Sequence, residues 1–472
     1  MTAQTILPAN SASSGSFDVA NSCRFDGSSA SMKIEHDSNM NLLLMTWSGW
    51  IKRSGLGAVQ SIFAGDNTTG STGTLYFDAN DKLNFQNVSG NADKGLKITN
   101  RVFRDPSAWY HIVWAWDSAN STAADRIKIY VNGVRETSFS SSTNPDADEP
   151  SQLGEADVAT LIGTYVGEDS RFWNGYMAEV VLIDGAALAP TSFGEFDDSG
   201  IWKPKDVSGL TFGTLGFYLD FKASGNLGND ANGGTDLTES NLAAVDQSTD
   251  TCTNNFATMN PLDNFHQATA FTEGNLKLVY TSGNRTWNTA NVALSSGKWY
   301  CEILKGETQN DTIGIHYKLS AGLTDRPDSD SGAWSYLGGK NADNGGVKTN
   351  GGTITYTIGP SDSGDIVGLY LDLDNNKVYF GVNGTVAHSG VGIDIPAAST
   401  LENGHYYIFG GSDSTSQTMT HTWNFGSPAV AISSANTDAN GFGSFEYSPS
   451  GTFDSASKDF LAICTKNLAG DS

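Results

Sequence analysis

The chain has 472 residues and a net charge of −25, from 27 Lys and Arg against 52 Asp and Glu. Charged residues make up only 17%, so the acidity reflects scarce bases, and the chain lacks the basic footprint that duplex nucleic acid requires. Gly at 53 positions, well above the ~7% average, with abundant Ser, Thr and Asn, favours short strands and tight turns over long helices or coiled coils.

Residues 1–16, MTAQTILPANSASSGS, have neither the basic nor the apolar region of a signal peptide. They read as a polar arm. No stretch approaches the ~20 apolar residues of a membrane span, so membrane insertion is not expected. Strand signals begin with SCRFDGSSASMKIE (Ser22 to Glu35) and LLLMTWSGWIKRS, ending at Ser54. In the second, Trp47, Gly49 and Ile51 share one face and Thr46, Ser48 and Trp50 the other. SAWYHIVWAWD (Ser107 to Asp117) sets Tyr110, Ile112, Trp114 and Trp116 against His111, Val113 and Ala115. RIKIYVNGVRE places Ile127, Ile129 and Val131 inward, and Asn132-Gly133 predicts a two-residue hairpin turn. FWNGYMAEVVLIDGAAL closes this block.

Residues 201–250 carry a polar run, SGNLGNDANGGTDLTES, that offers turns and little to bury, so they read as a connector between domains 17–200 and 251–472. The later block holds NLKLVY, GKWYCEI, TIGIHY and TITYTI, then GDIVGLYLDLDNNKVYFGVNGT. There Asp374, Asn375 and Asn376 predict one turn and Asn383-Gly384 the next hairpin. PAASTLEN (Pro396 to Asn403) is the best helix candidate. Both blocks open a buried strand on Trp-Tyr (Trp109-Tyr110, Trp299-Tyr300) and carry an Asn-Gly hairpin. The fold class expected is all-β, two antiparallel sandwiches in tandem. Four cysteines, with no CxxC pair, suit buried free thiols, although Cys252 and Cys464 lie near the ends of the second block, where end strands would bring them close.

Residues 17–195 resemble the LamG-like, concanavalin A-like jelly-roll family. The resemblance rests on FDG, WIK, WYHIV followed by WD, IKIYVNG and FWNGYMAEVVLIDGAAL, in that order. Residues 252–468 are similar to a SPRY domain through GKWYCEI, GDIVGLYLDLDNNKVYFGVNG, YYIFGG and WNFG. TNNFATMNPL and ICTKNL resemble a SPRY variant of bacteriophage and environmental viral proteins. The pairing implies a virion protein of an aquatic phage, on capsid or tail, assembled in the host cytoplasm and released by lysis. Its partners would be other virion proteins and a host-surface polysaccharide. Without repeats or heptads for a shaft, it would sit directly on a platform, with residues 1–16 as an anchoring arm. Analogy with phage appendages implies a homo-oligomer, a trimer. A decoration protein with only virion partners, and a polysaccharide-degrading enzyme, are the alternatives.

Most apparent sites read as structural. Glu195, Asp197 and Asp198 resemble the acids of sandwich glycosidases, but Gly200 stands where the third acid is required, so no catalysis is expected. Asp372, Asp374 and Asn376 mimic the start of an EF-hand, yet the twelfth position is Asn383 and strands flank the segment. The seven His form no zinc pair. Two weak positives remain. Asp66 and Asn67 follow a strand where LamG-like domains hold Ca²⁺ on the sandwich rim. Trp173, Trp334 and Tyr336 lie in Gly- and Ser-rich stretches, where exposed rings would stack on sugars.

Overall fold

The computed structural model describes residues 17–66, 70–165, 171–264, 269–281, 285–307, 311–319, 328, 330–339, 345–412 and 417–470. The arm expected at 1–16 lies outside the described residues. The fold is all-β, antiparallel except where Leu461–Ala462 runs parallel to Lys298–Lys305, with one α-helix among the described residues, Thr465–Gly470. None of the described helices is long and apolar enough to cross a membrane. The chain divides into a unit ending at Thr253 and one starting at Asn254.

The first unit is a sandwich of two eight-stranded sheets. Sheet I runs Val134–Arg135, Ile127–Val131, Trp109–Asp117, Leu44–Arg53, Asn174–Asp184, Ser22–Asp26, Gln247–Ser248, with Phe217–Leu219 paired to Asn174–Asp184. Sheet II runs Phe139–Thr143, Ala92–Val102, Lys82–Ser89, Thr72–Phe77, Gln60–Asp66, Ala159–Ile162, Ser31–Ile34, Thr238–Ser240. Alternate residues meet between the sheets: Trp47, Ile51, Ile112, Trp114, Trp116, Ile127, Ile129 and Val131 face Phe63, Leu75, Phe77 and Phe85. The hairpin expected at Asn132-Gly133 forms with φ of 48° and 77°, the left-handed pair such a turn needs.

Residues 201–250 are not a free connector. Their strands complete sheet I at Phe217–Leu219 and Gln247–Ser248 and sheet II at Thr238–Ser240. These strands are two or three residues long, too short for a periodic signal. They are held by long-range packing instead, with Phe217, Leu219, Phe221, Leu227 and Leu237 in the common core.

The second unit repeats the plan. A nine-stranded sheet centred on Lys298–Lys305 and Ile366–Asp372 faces a seven-stranded one centred on Tyr407–Ser412 and Asp311–His316. Asn383-Gly384 turns with φ of 49° and 75°, and its surroundings match those of the first hairpin. In each, the Asn Oδ1 accepts from the backbone N–H opposite, His111 at 2.8 Å and Ile366 at 2.9 Å. In each, the Gly lies under an aromatic ring from later in the chain, Trp202 and Tyr447. The expected helix at Pro396–Asn403 is only a single 3₁₀ turn, Ala398–Thr400, because Leu401 is already extended with ψ of 152°. All four cysteines are free and buried; Cys464 bridges to Phe256 within the second unit, whereas Cys252 belongs to the first.

Candidate functional site

The outer faces of the first sandwich differ. The face of sheet I is apolar: Trp50, Trp109, Tyr176 and Ala178 in one patch, Val113, Val181 and Ile183 in another. Residues 193–212 lie over it as a third layer, with Phe193, Trp202, Val207 and Phe212, joined by Cys252, buried against these patches. Asp250 fastens the layer: its carboxylate takes Lys52 Nζ at 2.6 Å and Trp109 Nε1 at 3.1 Å, all buried. Tyr218 donates to Glu179 Oε2 at 2.5 Å. Glu179 sits at a β-bulge with φ of 50°, and burial pushes its carboxyl up to about 7 despite the Tyr218 hydrogen bond.

This covered face contains a serine beside a histidine, but the wiring is wrong for a nucleophile. Ser48 Oγ lies 2.9 Å from His111 Nε2, and Trp202 Nε1 lies 3.0 Å from His111 Nδ1. Indole N–H only donates, so Nδ1 is the acceptor and Nε2 carries the proton. Nε2–H therefore donates to Ser48 and cannot take its proton. Burial holds the imidazole down to about 3, so the ring stays neutral.

The outer face of sheet II is polar and partly open. One rung crosses the whole sheet, Thr238, Lys33, Leu161, Ala64, Thr74, Gln86, Leu96 and Thr143 in register. The next carries Ser61, Tyr76, Asn84 and Ile98. Tyr76, Gln86, Leu96, Ile98, Tyr165 and Arg171 are half-buried and Asp93 is exposed. Gln86 Nε2 donates to Asp93 Oδ1 at 2.6 Å. The Arg171 guanidinium lies over the Tyr165 ring at 4.1 Å, and the Arg171 carbonyl takes the Ser61 N–H at 2.9 Å, which ties this pair to the sheet. Arg171, Asp78, Tyr165 and Asp93 surround the Tyr76 hydroxyl electrostatically, and burial raises its pKa. The result is a surface with two tyrosine rings, a planar cation, an amide and a carboxylate. Such a set can stack on apolar sugar faces and hydrogen-bond hydroxyls.

The aromatics proposed from sequence lie elsewhere. Trp173 is fully buried against Phe77, with centroids 5.9 Å apart. Trp334 and Tyr336 point into the second core, and Tyr336 donates to the Gly359 carbonyl at 2.9 Å. All eleven tryptophans are buried, so no tryptophan is available for stacking. Small Gly and Ser neighbours had suggested exposure, but Ser335 is itself buried on the opposite face of its strand. Asp66 ends a strand opposite Ala159, and Asn67 lies outside the described residues. Among the described residues no three of His, Cys, Asp and Glu converge. Glu195 and Asp197 belong to an outlying hairpin, Gly194–Phe196 with Trp202–Pro204, where Asp197 accepts from the Ser199 and Ile201 N–H groups. Asp372 and Asp374 flank a hairpin turn and bind Lys458 and Lys298 at 2.9 and 2.6 Å.

Residues 26–191 match the family model described as the concanavalin A-like lectin/glucanases superfamily. That span contains Tyr76, Gln86, Asp93, Tyr165 and Arg171. The search of curated proteins finds no match. Among solved structures, the human HERC1 SPRY domain is 18% identical and covers 35% of this chain and 96% of its own, with a TM-score of 0.28. A SAP-like pentraxin from Limulus polyphemus is 16% identical over 37% of this chain and 80% of its own, TM-score 0.28. A putative carbohydrate-binding protein from Bacteroides ovatus is 17% identical over 37% of this chain and 46% of its own, TM-score 0.28.

Proposed function

We propose that the protein is a non-enzymatic glycan-binding protein that holds its ligand on the outer face of sheet II. The observation that carries this is the grouping of Tyr76, Gln86 and Asp93 with the Tyr165–Arg171 stack, close enough for Arg171 and Tyr165 to act on the Tyr76 hydroxyl, on a partly open face in a unit whose other face is covered. The match of residues 26–191 to a lectin/glucanase superfamily supports the ligand class. A binding role without hydrolysis is supported by the Ser48–His111 tautomer and by the turn-forming role of Asp197. The finer reading is a virion surface protein contacting host polysaccharide. It rests on the LamG-like and SPRY pairing and the acidic, lysine-poor chain, which keeps a particle surface soluble.

A glycan array tests the reading. The full chain is expected to bind a defined subset of polysaccharides, and Tyr76→Ala and Arg171→Ala are expected to abolish that binding while reducing ends are never released. Binding that survives both substitutions would overturn the assignment of the site.

A further inference from the structure

The first sandwich has four sheet edges, and three are blunted. Sheet I ends in the two-residue strands Val134–Arg135 and Gln247–Ser248, and one side of sheet II ends in Thr238–Ser240. Short edge strands are a usual protection against adventitious pairing. The other edge of sheet II is Phe139–Thr143, five residues of sequence FSSST. It carries no charge and no proline, and Ser140 to Thr143 are exposed. A bulge lies at its start, between Phe139 and Ser141, while Ser141, Ser142 and Thr143 pair regularly with Ile98, Lys97 and Leu96. The far side of this strand therefore presents alternate main-chain N–H and C=O groups to solvent.

Apolar surface gathers beside the same edge. Five large hydrophobic residues are exposed among the described residues; Val102 at 44% ends the strand paired with this edge, Val134 at 55% lies five residues before it, and Phe196 at 52% lies in the layer over sheet I. The Asn100 N–H donates to the Ser138 carbonyl at 3.0 Å, which keeps the end of the Val102 strand against this edge. Phe196 packs edge-on to Trp202 at 4.8 Å, and Trp202 covers Gly133, the neighbour of Val134. The charges here are already paired: Arg101 with Glu136 at 2.9 Å and Arg135 with Asp125 at 2.7 Å. Lys97 donates to Ser142 Oγ and Asn144 Oδ1. Residues 134–143 sum to zero charge in a chain of −25, so this edge adds no net charge of its own to the repulsion between two copies.

We propose that a second copy of the chain adds its Phe139–Thr143 strand antiparallel to this one, giving a two-fold dimer with a continuous sheet II. Antiparallel self-pairing sets Ser and Thr opposite Ser and Thr, a favourable cross-strand combination, and it is self-complementary as a two-fold contact must be. This inference is independent of what the open face binds.

Analytical ultracentrifugation of the full chain over a roughly hundredfold concentration range is the test, since self-association depends on concentration. The wild type is expected to convert from monomer to dimer. The double variant Ser141→Lys with Thr143→Lys faces lysines across the two-fold and is expected to raise the dimer dissociation constant at least about tenfold. Val134→Glu provides a second disruption outside the strand. All three side chains are exposed, so the melting temperature of the dilute monomer is expected to stay unchanged. Hydrogen exchange gives a variant-free readout: the outward amides of 139–143 should become protected as wild-type concentration rises. A wild type that stays monomeric, a dimer indifferent to both variants, or a three-fold species would each overturn the proposal.

Discussion

The two outer faces of the first sandwich share one core yet have opposite fates. Sheet I presents Trp50, Trp109, Tyr176 and Val181 outward, and the chain returns to bury them. Sheet II presents Thr74, Tyr76, Asn84 and Gln86 outward; Thr74 and Asn84 are buried there, while Tyr76 and Gln86 stay half-buried and Asp93 beside them is exposed. Composition decides the difference: the apolar face gains from burial at roughly 25 cal/mol per Å², while the amide and hydroxyl face would lose hydration without compensating bonds. The second unit repeats the sealed arrangement. Tyr300, Tyr370 and Tyr379 lie under Phe445, Phe453 and Phe460, and a buried carboxylate, Glu302, takes the Glu446 and Tyr447 N–H groups as Asp250 takes Lys52 and Trp109. In both units a layer formed late in the chain is fastened by a buried acid, and burial raises the Glu302 carboxyl accordingly.

The largest expected effect breaks the seal. Asp250→Ala removes the buried carboxylate that the Lys52 ammonium and the Trp109 indole share, and a loss of about 3–5 kcal/mol is expected in urea unfolding of the first unit. The same substitution should leave the transition of the second unit in place.

A somewhat smaller effect depends on pH. Burial raises the Glu179 carboxyl from 4.5 to about 7, so the folded chain binds this proton more tightly than the unfolded chain. Its contribution is full below pH ~4.5 and is lost as pH rises through 7, by about 3 kcal/mol. Unfolding free energies from urea titrations of wild type and Glu179→Gln, compared between pH 4.5 and 8, should diverge by that amount, with Gln, which cannot ionise, the flatter curve.

The smallest stability effect is expected on the open face. Tyr76→Ala and Arg171→Ala should each change stability by no more than about 1 kcal/mol while weakening glycan binding at least about tenfold. Thermal melts and binding isotherms on the same samples separate the two quantities. A stability loss as large as that of Asp250→Ala would mean that these side chains serve the fold.

Much of the fold was legible because strands alternate and turns announce themselves. The Trp109–Asp117 strand carries its inward and outward sets in its spacing, and both Asn-Gly pairs form the left-handed turns they imply. The third layer was not legible, since Phe193, Val207 and Phe212 sit among turn residues and acquire meaning only against a face that Val113, Val181 and Ile183 build from separate strands. The site was missed for a related reason. Small-residue stretches single out Trp173, Trp334 and Tyr336, whereas all three rings go to the core. The available signal was the alternation in TGTLYF and KLNFQNVS: once Leu75, Phe77, Leu83 and Phe85 are assigned inward, Tyr76, Asn84 and Gln86 must face outward. Tyr165 and Arg171 had no comparable signal, because their approach to Tyr76 depends on the pairing of Ala159–Ile162 with Gln60–Asp66.

Hydrogen exchange with and without an array-selected glycan tests the central claim most directly. The account predicts slowed exchange in Thr72–Phe77, in Lys82–Ser89 and around Tyr165 and Arg171, with residues 193–220 unchanged. Protection confined to the covered face or to the second unit, or no glycan that protects any strand, would contradict it.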